Sequence, residues 1–384
     1  MQLLPSCFKE FLQEIRPTES QKKDYQQGHK TLRDRLTNYE ELKPVIVTTF
    51  LQGSYRRYTA VRPKGDLRPD VDVIVVTRLD KDNYKDPNKA MNLFVPFLEK
   101  YYKGKYKRQG RSFGIELSYV DLDLVITSAP SEKDEAILKS ASVNTIYFSE
   151  DETDWRLVKS WIPREERGDK KELIEKEIRE ETEWKTEPLW IPNRDTKEWE
   201  RTHPLEQIKW TRGKNARCNF HYINVVKAIK WWQKLNYEDD RPKGYPIEHL
   251  IGHCCPDDIN SIAEGITLTL EKIVKEFYDL YIVESKPFLN DHGVPEHDVF
   301  TRISEEEFQK FYYHINLAAK TAREALDSDN SIEAATKWRE LFDKKFPIPS
   351  KDYKSDNENF DSKGPFSIKS QTGDLTPRKY GYTK

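Results

Sequence analysis

The chain has 384 residues, enough for two ordinary domains or one bilobal unit. A formal net charge of −2, 34% charged residues and 12% aromatic residues argue against a coat of bulk positive charge for nucleic acid and against wholesale disorder. No stretch reaches the apolar length of a bilayer span, the start has no charged segment followed by an apolar one, and four cysteines (Cys7, Cys218, Cys254 and Cys255) are too few for a disulfide framework, so a cytoplasmic protein without membrane contact is expected.

Phe8, Phe11, Leu12 and Ile15 recur at helical spacing. Pro17 interrupts that helix, and Thr18 with Gln21 reads as a capping box that restarts it toward Tyr39. Val45–Leu51 is a β-branched run ending at Gln52-Gly53-Ser54, and Val71–Thr77 is a second strand. Ala90–Tyr102 has helical spacing, and Phe113–Leu117 with Val120–Thr127 reads as a strand pair. Strands and helices mixed over so short a span indicate an α+β sheet domain. Arg164–Lys185 is dense in Glu, Lys and Arg and reads as a solvated excursion. From Pro204 to Phe346 the pattern is helical, with stripes over Tyr222–Trp232, Ile247–Ile251 and Ile262–Tyr281 and a capping box at Ser304 and Glu307. The expected organisation is a catalytic core over 1–203, a helical lobe over 204–348 and a flexible polar tail over 349–384.

Side chains alternate along a strand, so Asp70 and Asp72 share one face, as do Asp121 and Asp123 on the later strand. The first pair sits in an otherwise apolar VDVIVV run, where adjacent carboxylates are costly through desolvation and repulsion. A divalent cation relieves that cost, and Mg²⁺ (or Mn²⁺) suits carboxylate and phosphate oxygens. Gly53 allows close backbone approach, and Ser54 adds a hydroxyl for phosphate oxygens. Two ions bridged by shared carboxylates would activate an attacking ribose hydroxyl and neutralise a departing pyrophosphate. Taken singly, a Gly-Ser pair marks many turns and a D-x-D many strand ends. It is their order on suitable elements that points to chemistry.

QGSYRRYT, DVDVIVV and VDLDLVIT resemble the glycine-serine, paired-acid and third-acid motifs of the DNA polymerase beta-like nucleotidyltransferases. The spacing from Gly53 to Thr59, together with WTRGKNARCNFHYINVVKAIKWW and GYPIEHLI, resembles the bacterial cGAS/DncV-like branch. The resemblance spans roughly Phe8–Phe346. It implies a bilobal nucleotidyltransferase fold with a mixed-sheet core and a helical lobe like that of oligoadenylate synthase. It implies synthesis of a cyclic oligonucleotide from ATP, with GTP or a pyrimidine triphosphate as further substrates, in anti-phage defence. The product would reach effector proteins, and the C-terminus is a candidate for conjugation to another protein. Rival readings are transfer of one nucleotide to a protein or tRNA, and a non-catalytic nucleotide sensor.

On this resemblance Asp70, Asp72 and a third acid are the catalytic metal ligands. Both Asp121 and Asp123 fit the third-acid pattern, and the Leu-Val-Ile-Thr that follows favours Asp123. Gln52, Gly53, Ser54 and Arg56 are nucleotide-binding candidates beside the turn. Lys227 and Lys230 join them if their helix faces the cleft, whereas Lys234 reads as solvated. His249, His253, Cys254 and Cys255 cluster in sequence, but a C-x-x-C pair is missing and zinc is not expected.

Overall fold

A computed structural model of the chain describes residues 4–65, 67–129, 131–146 (backbone alone from 140), 187–237, 242 and 244–349. Met1–Ile348 form one compact unit. The expected charged excursion at Arg164–Lys185 and all but the first residue of the expected tail lie outside the described residues.

Helix α1 (Pro5–Ile15) leads to α2 (Glu19–Thr37), with the break at Pro17. The Thr18 hydroxyl accepts from the Gln21 N–H at 3.2 Å, and the Gln21 amide oxygen accepts from the Thr18 N–H at 2.9 Å, so both free donors are satisfied at the restart. Strand β1 (Ile46–Gln52) runs into α3 (Gly53–Arg56), a single turn, and β2 (Asp70–Thr77) follows. The sequence expectation of one helix over Ala90–Tyr102 is corrected to two, α4 (Pro87–Asn92) and α5 (Val95–Tyr102). Pro96 has no N–H to continue the ladder and disfavours helical backbone before it.

β3 (Tyr106–Arg108), β4 (Phe113–Glu116) and β5 (Asp121–Ser128) complete the main sheet, ordered β1-β2-β5-β4-β3. Among the described residues only β2 and β5 pair in parallel, making the sheet mixed. Helix α6 (Glu132–Ile146) follows, and β6 (Leu189–Asn193) with β7 (Glu198–Thr202) extends the sheet from Ser128.

The two faces of the sheet differ. Val71, Val73, Val75, Leu122, Leu124 and Ile126 pack against Leu32 and Leu36 of α2 and Phe94, Phe97 and Leu98 around α4 and α5. The other face carries Phe50, Ile74 and Val76 against Leu138 of α6, Leu189 and Leu205. Asp70, Asp72, Asp121 and Asp123 alternate onto this second face, beyond its apolar end. One face is thus a core, and the other is half core and half polar recess.

The later helices are α7 (Pro204–Arg217), α8 (Tyr222–Asn236), α9 (Tyr245–Cys254), α10 (Ile262–Glu276), α11 (Tyr278–Ile282), α12 (Glu305–Asp327) and α13 (Ser331–Phe342). They build a separate core around Val225, Ile229, Ile251, Ile266, Phe308, Ile315 and Trp338. Helix α1 packs into this core rather than on the sheet, with Phe8 edge-on to Trp338 at 5.1 Å and Phe11 stacked on Phe342 at 4.5 Å. Ser304 and Glu307 cap α12 reciprocally at 2.8 and 3.1 Å. No helix among the described residues is long and apolar enough to cross a membrane.

Candidate active site

The parallel register of β2 and β5 sets Asp70 beside Asp121 and Asp72 beside Asp123, while the antiparallel register of β1 sets Gln52 beside Asp72. Three stretches far apart in sequence thereby meet at one edge of the recess. Oxygens of Asp70, Asp72 and Asp123 all lie within 4.8 Å of one another. Asp121 turns to Arg68 instead, accepting from its Nε at 2.7 Å. The structure therefore separates the two acids that fitted the third position, with Asp123 in the cluster and Asp121 in a half-exposed ion pair.

The cluster is electrostatically unfavourable on its own. Loss of water in the recess, with the charges of Asp72, Asp123 and Asp121, pushes the Asp70 carboxyl up to about 8. Asp70 remains open to solvent, so carboxylate repulsion is the part of that shift that persists in a hydrated cleft. Burial and Asp72 push Asp123 up to about 6, opposed by a hydrogen bond from Gln109. Burial also raises Asp72, opposed by the charge of Arg57. Three crowded carboxylates on adjacent strands, each disfavoured in its charged form, fit a divalent cation that takes hard oxygen ligands and relieves their repulsion.

Gly53 lies against this cluster with φ +74°, a region that L side chains rarely adopt. A Cβ there would stand 1.6 Å from Asp72 Oδ2. The Ser54 carbonyl accepts the N–H groups of Thr59 (2.9 Å) and Ala60 (3.1 Å), which closes the turn. Tyr55 faces away and stacks on Tyr25 of α2 at 4.6 Å.

A cavity of about 860 Å³ opens over these groups, lined by Gln52, Gly53, Ser54, Arg57, Asp70 and Asp72 on the sheet side. Tyr245, Glu248, Asp291 and Arg302 line it from the helical half, Glu200 and Arg201 from β7, and Arg111 from the turn between β3 and β4. Gln52 Nε2 donates to Gln207 Oε1 at 3.0 Å, and Gln207 Nε2 donates to Asp291 Oδ2 at 3.1 Å, so a hydrogen-bonded chain crosses from strand to helical half.

The expected basic residues occupy different positions. Arg57, not Arg56, lines the cavity, although both are buried. The Arg57 guanidinium donates from Nε and pairs through Nη2 with Glu248 Oε2, each at 3.1 Å. Lys230 Nζ donates to Glu248 Oε1 at 2.6 Å. Lys227 is buried within α8 and is not among the lining residues. Lys234 is half-buried, and its Nζ donates to the Arg62 carbonyl at 3.4 Å, which corrects the expectation of a solvated lysine. Arg56 and Arg57 both follow the turn in sequence, and it is Arg57 that reaches the cavity; Gln207, Glu248 and Asp291 were not expected there. A detectable signal existed for Glu248 alone, as a lone acid among the apolar Ile247, Leu250 and Ile251.

The His/Cys group splits three ways. His249 stacks on His292 at 4.0 Å, Cys255 Sγ lies 4.0 Å from Cys218 Sγ, and His253 meets Glu276 near Cys254. His253, Cys254 and Glu276 place ligand atoms within 4.8 Å of one another, one donor short of a closed tetrahedral site.

Residues 1–132 match the family described as the Second Messenger Oligonucleotide or Dinucleotide Synthetase domain. The chain is 50% identical over 356 residues to a cyclic AMP-AMP-GMP synthase of Enterobacter hormaechei, covering 91% of this chain and 93% of that protein. It is 48% identical to a probable cyclic AMP-AMP-GMP nucleotide synthase of Salmonella paratyphi B, covering 90% and 92% respectively. Among solved structures, the fold is similar to the Bradyrhizobium diazoefficiens CD-NTase CdnG in complex with GTP, with a TM-score of 0.61, 12% identity and coverage of 88% and 94%.

Proposed function

Because the chain belongs to the cGAS/DncV-like nucleotidyltransferases, we propose that it joins ATP and GTP into cyclic AMP-AMP-GMP, the product named for its relatives from Enterobacter and Salmonella. Membership makes it an enzyme that builds a cyclic oligonucleotide second messenger from nucleoside triphosphates, releasing pyrophosphate, in bacterial anti-phage defence. The sheet-bearing part to residue 203 serves as the catalytic core, and 204–348 closes the nucleotide cleft. The enzyme works in the cytoplasm, and effector proteins receive its product.

One observation carries the chemistry: Asp70, Asp72 and Asp123 bring oxygens within 4.8 Å of one another beside the Gly53–Ser54 turn. These three aspartates would hold two Mg²⁺ or Mn²⁺ ions, which supply Lewis acidity at the attacking hydroxyl and charge neutralisation at the leaving pyrophosphate. Asp123 stands beside Asp72 on the neighbouring strand, so its carboxylate would share in holding the ions. Ser54, at the cavity wall, donates to a triphosphate oxygen, and Gly53 lets the chain pass without displacing Asp72. Gln52 fixes the strand end through Gln207 and Asp291, which holds the turn in register with the helical wall. Arg56, Lys227 and Lys230, none of them among the cavity-lining residues, would favour triphosphate binding only through the field of the cleft.

Incubation with labelled ATP and GTP plus Mg²⁺, followed by phosphatase and mass analysis, tests the proposal. A phosphatase-resistant product with the mass of two adenylates and one guanylate is expected. A labelled protein or tRNA, a different base composition, or no product would each refute it.

A further inference from the structure

Glu248 rises from an apolar stretch of α9 and is buried, with side-chain exposure of 5%. Both of its oxygens are engaged, Oε1 by Lys230 of α8 at 2.6 Å and Oε2 by Arg57 at 3.1 Å. Burial alone would raise the carboxyl, but Arg57 and Lys230 more than offset this and hold it down to about 2. Among the described residues, Glu248 is the only carboxylate within 4.0 Å of either cation. Yet both cations stand close enough to act on the acid cluster. Arg57 and Lys230 bias Asp72 toward its charged form, and Lys230 does the same to Asp70.

Two buried cations thus face a cluster of three carboxylates and bind a fourth carboxylate outside it. We propose that Glu248 is a positioning residue that holds Arg57 and Lys230 off Asp72 and Asp70, leaving those oxygens open to a divalent cation. The inference rests on the reading of Asp70, Asp72 and Asp123 as metal ligands. Without the Glu248 charge, two desolvated cations lose their partner, and the nearest remaining anions are the aspartates. A guanidinium or ammonium paired with Asp72 or Asp70 would occupy the oxygen an ion needs and repel that ion. The arrangement also lets the helical half set the charge balance of a site built on the sheet, since α8 and α9 supply two of its three members.

The test is binding of Mn²⁺ alone to nucleotide-free protein, followed by the electron paramagnetic resonance signal of free Mn²⁺. Glu248→Gln keeps the shape and removes the charge, and its dissociation constant is expected to rise roughly tenfold, equivalent to about 1.4 kcal/mol. Lys230→Gln removes a repelling cation and is expected to bind Mn²⁺ more tightly than wild type. The opposite signs separate a charge effect from structural damage, which would weaken both, and Lys230→Gln decides the matter if Glu248→Gln does not fold. Glu248→Gln binding within about twofold of wild type, or Lys230→Gln binding more weakly than wild type, would overturn the proposal. Asp72→Asn is the control: Mn²⁺ binding that survives it refutes the ligand assignment itself, whatever Glu248→Gln does.

Discussion

Gly53 and Asp72 approach so closely that a methyl group on Gly53 would stand 1.6 Å from Asp72 Oδ2. The glycine is needed twice, once for its φ of +74° and once for the space that the carboxylate occupies.

Gly53→Ala should therefore displace Asp72 or reshape the turn. A shift near 1 Å at a catalytic group costs roughly a hundredfold in rate. The left-handed backbone adds a stability penalty of about 1–2 kcal/mol. We expect product formation to fall by that factor or more while Tm drops by only a few degrees, measured by initial rates and thermal melts side by side. Retention of near wild-type turnover would show that the close approach has no catalytic role.

Replacing Asp70 and Asp72 together with Asn should abolish product formation and leave the metal-free protein at least as stable as wild type. The sign follows from Asp70, whose carboxyl sits at about 8 in the fold against an ordinary value of 3.8. The folded state favours the neutral form, so between those values the native protein binds more protons than the unfolded chain. Stability contributed through this group falls as pH rises through that window and recovers as pH drops. Urea melts in chelator at about pH 6 and about pH 9 should show a wild-type loss that is smaller in the double variant. A double variant that unfolds more readily than wild type at high pH would contradict the repulsion argument.

The elements that alternation and helical spacing reveal were legible in the sequence: the strands carrying Gly53, Asp70 and Asp123, and the caps at Thr18 and Ser304. What local pattern cannot report is register. Only the parallel pairing of β2 with β5 places Asp72 beside Asp123, and only Arg68 explains why Asp121 leaves the cluster. Lys234 read as solvated because its place on α8 lies off the apolar stripe, but the Arg62 carbonyl that accepts from it comes from 172 residues earlier in the chain. Short strands such as β6, with Pro192 in its run, carry too few alternating positions to be recognised.

Asp123→Asn should be far more damaging than Asp121→Asn. Asp123 shares the recess with Asp70 and Asp72, whereas Asp121 makes a half-exposed ion pair with Arg68 at 2.7 Å. Pairs of that kind contribute about 0–1 kcal/mol to stability, so Asp121→Asn should retain most activity with a small change in melting. Parallel rate measurements under saturating Mg²⁺ decide the order. A larger loss for Asp121→Asn would reverse the assignment of the third acid while leaving the fold intact.

Ser54 lines the cavity next to Asp72 and Gly53, and its carbonyl is already committed to Thr59 and Ala60. Its hydroxyl is therefore the part of the residue available to substrate, and its place at the end of β1 suits a donor to the triphosphate. Removing one charge-assisted hydrogen bond costs about 1.5–3 kcal/mol. Ser54→Ala should then lose roughly ten- to a hundredfold in kcat/KM, since each 1.4 kcal/mol is about a factor of ten. The loss should be partial, in contrast to that of the aspartate variants. Were Ser54 a nucleophile, the alanine variant would be dead and wild-type enzyme given ATP would gain the mass of a nucleotidyl group. Steady-state kinetics and intact-mass analysis distinguish the two, and a nucleotidyl adduct on Ser54 would replace direct transfer at the aspartate cluster with a covalent route.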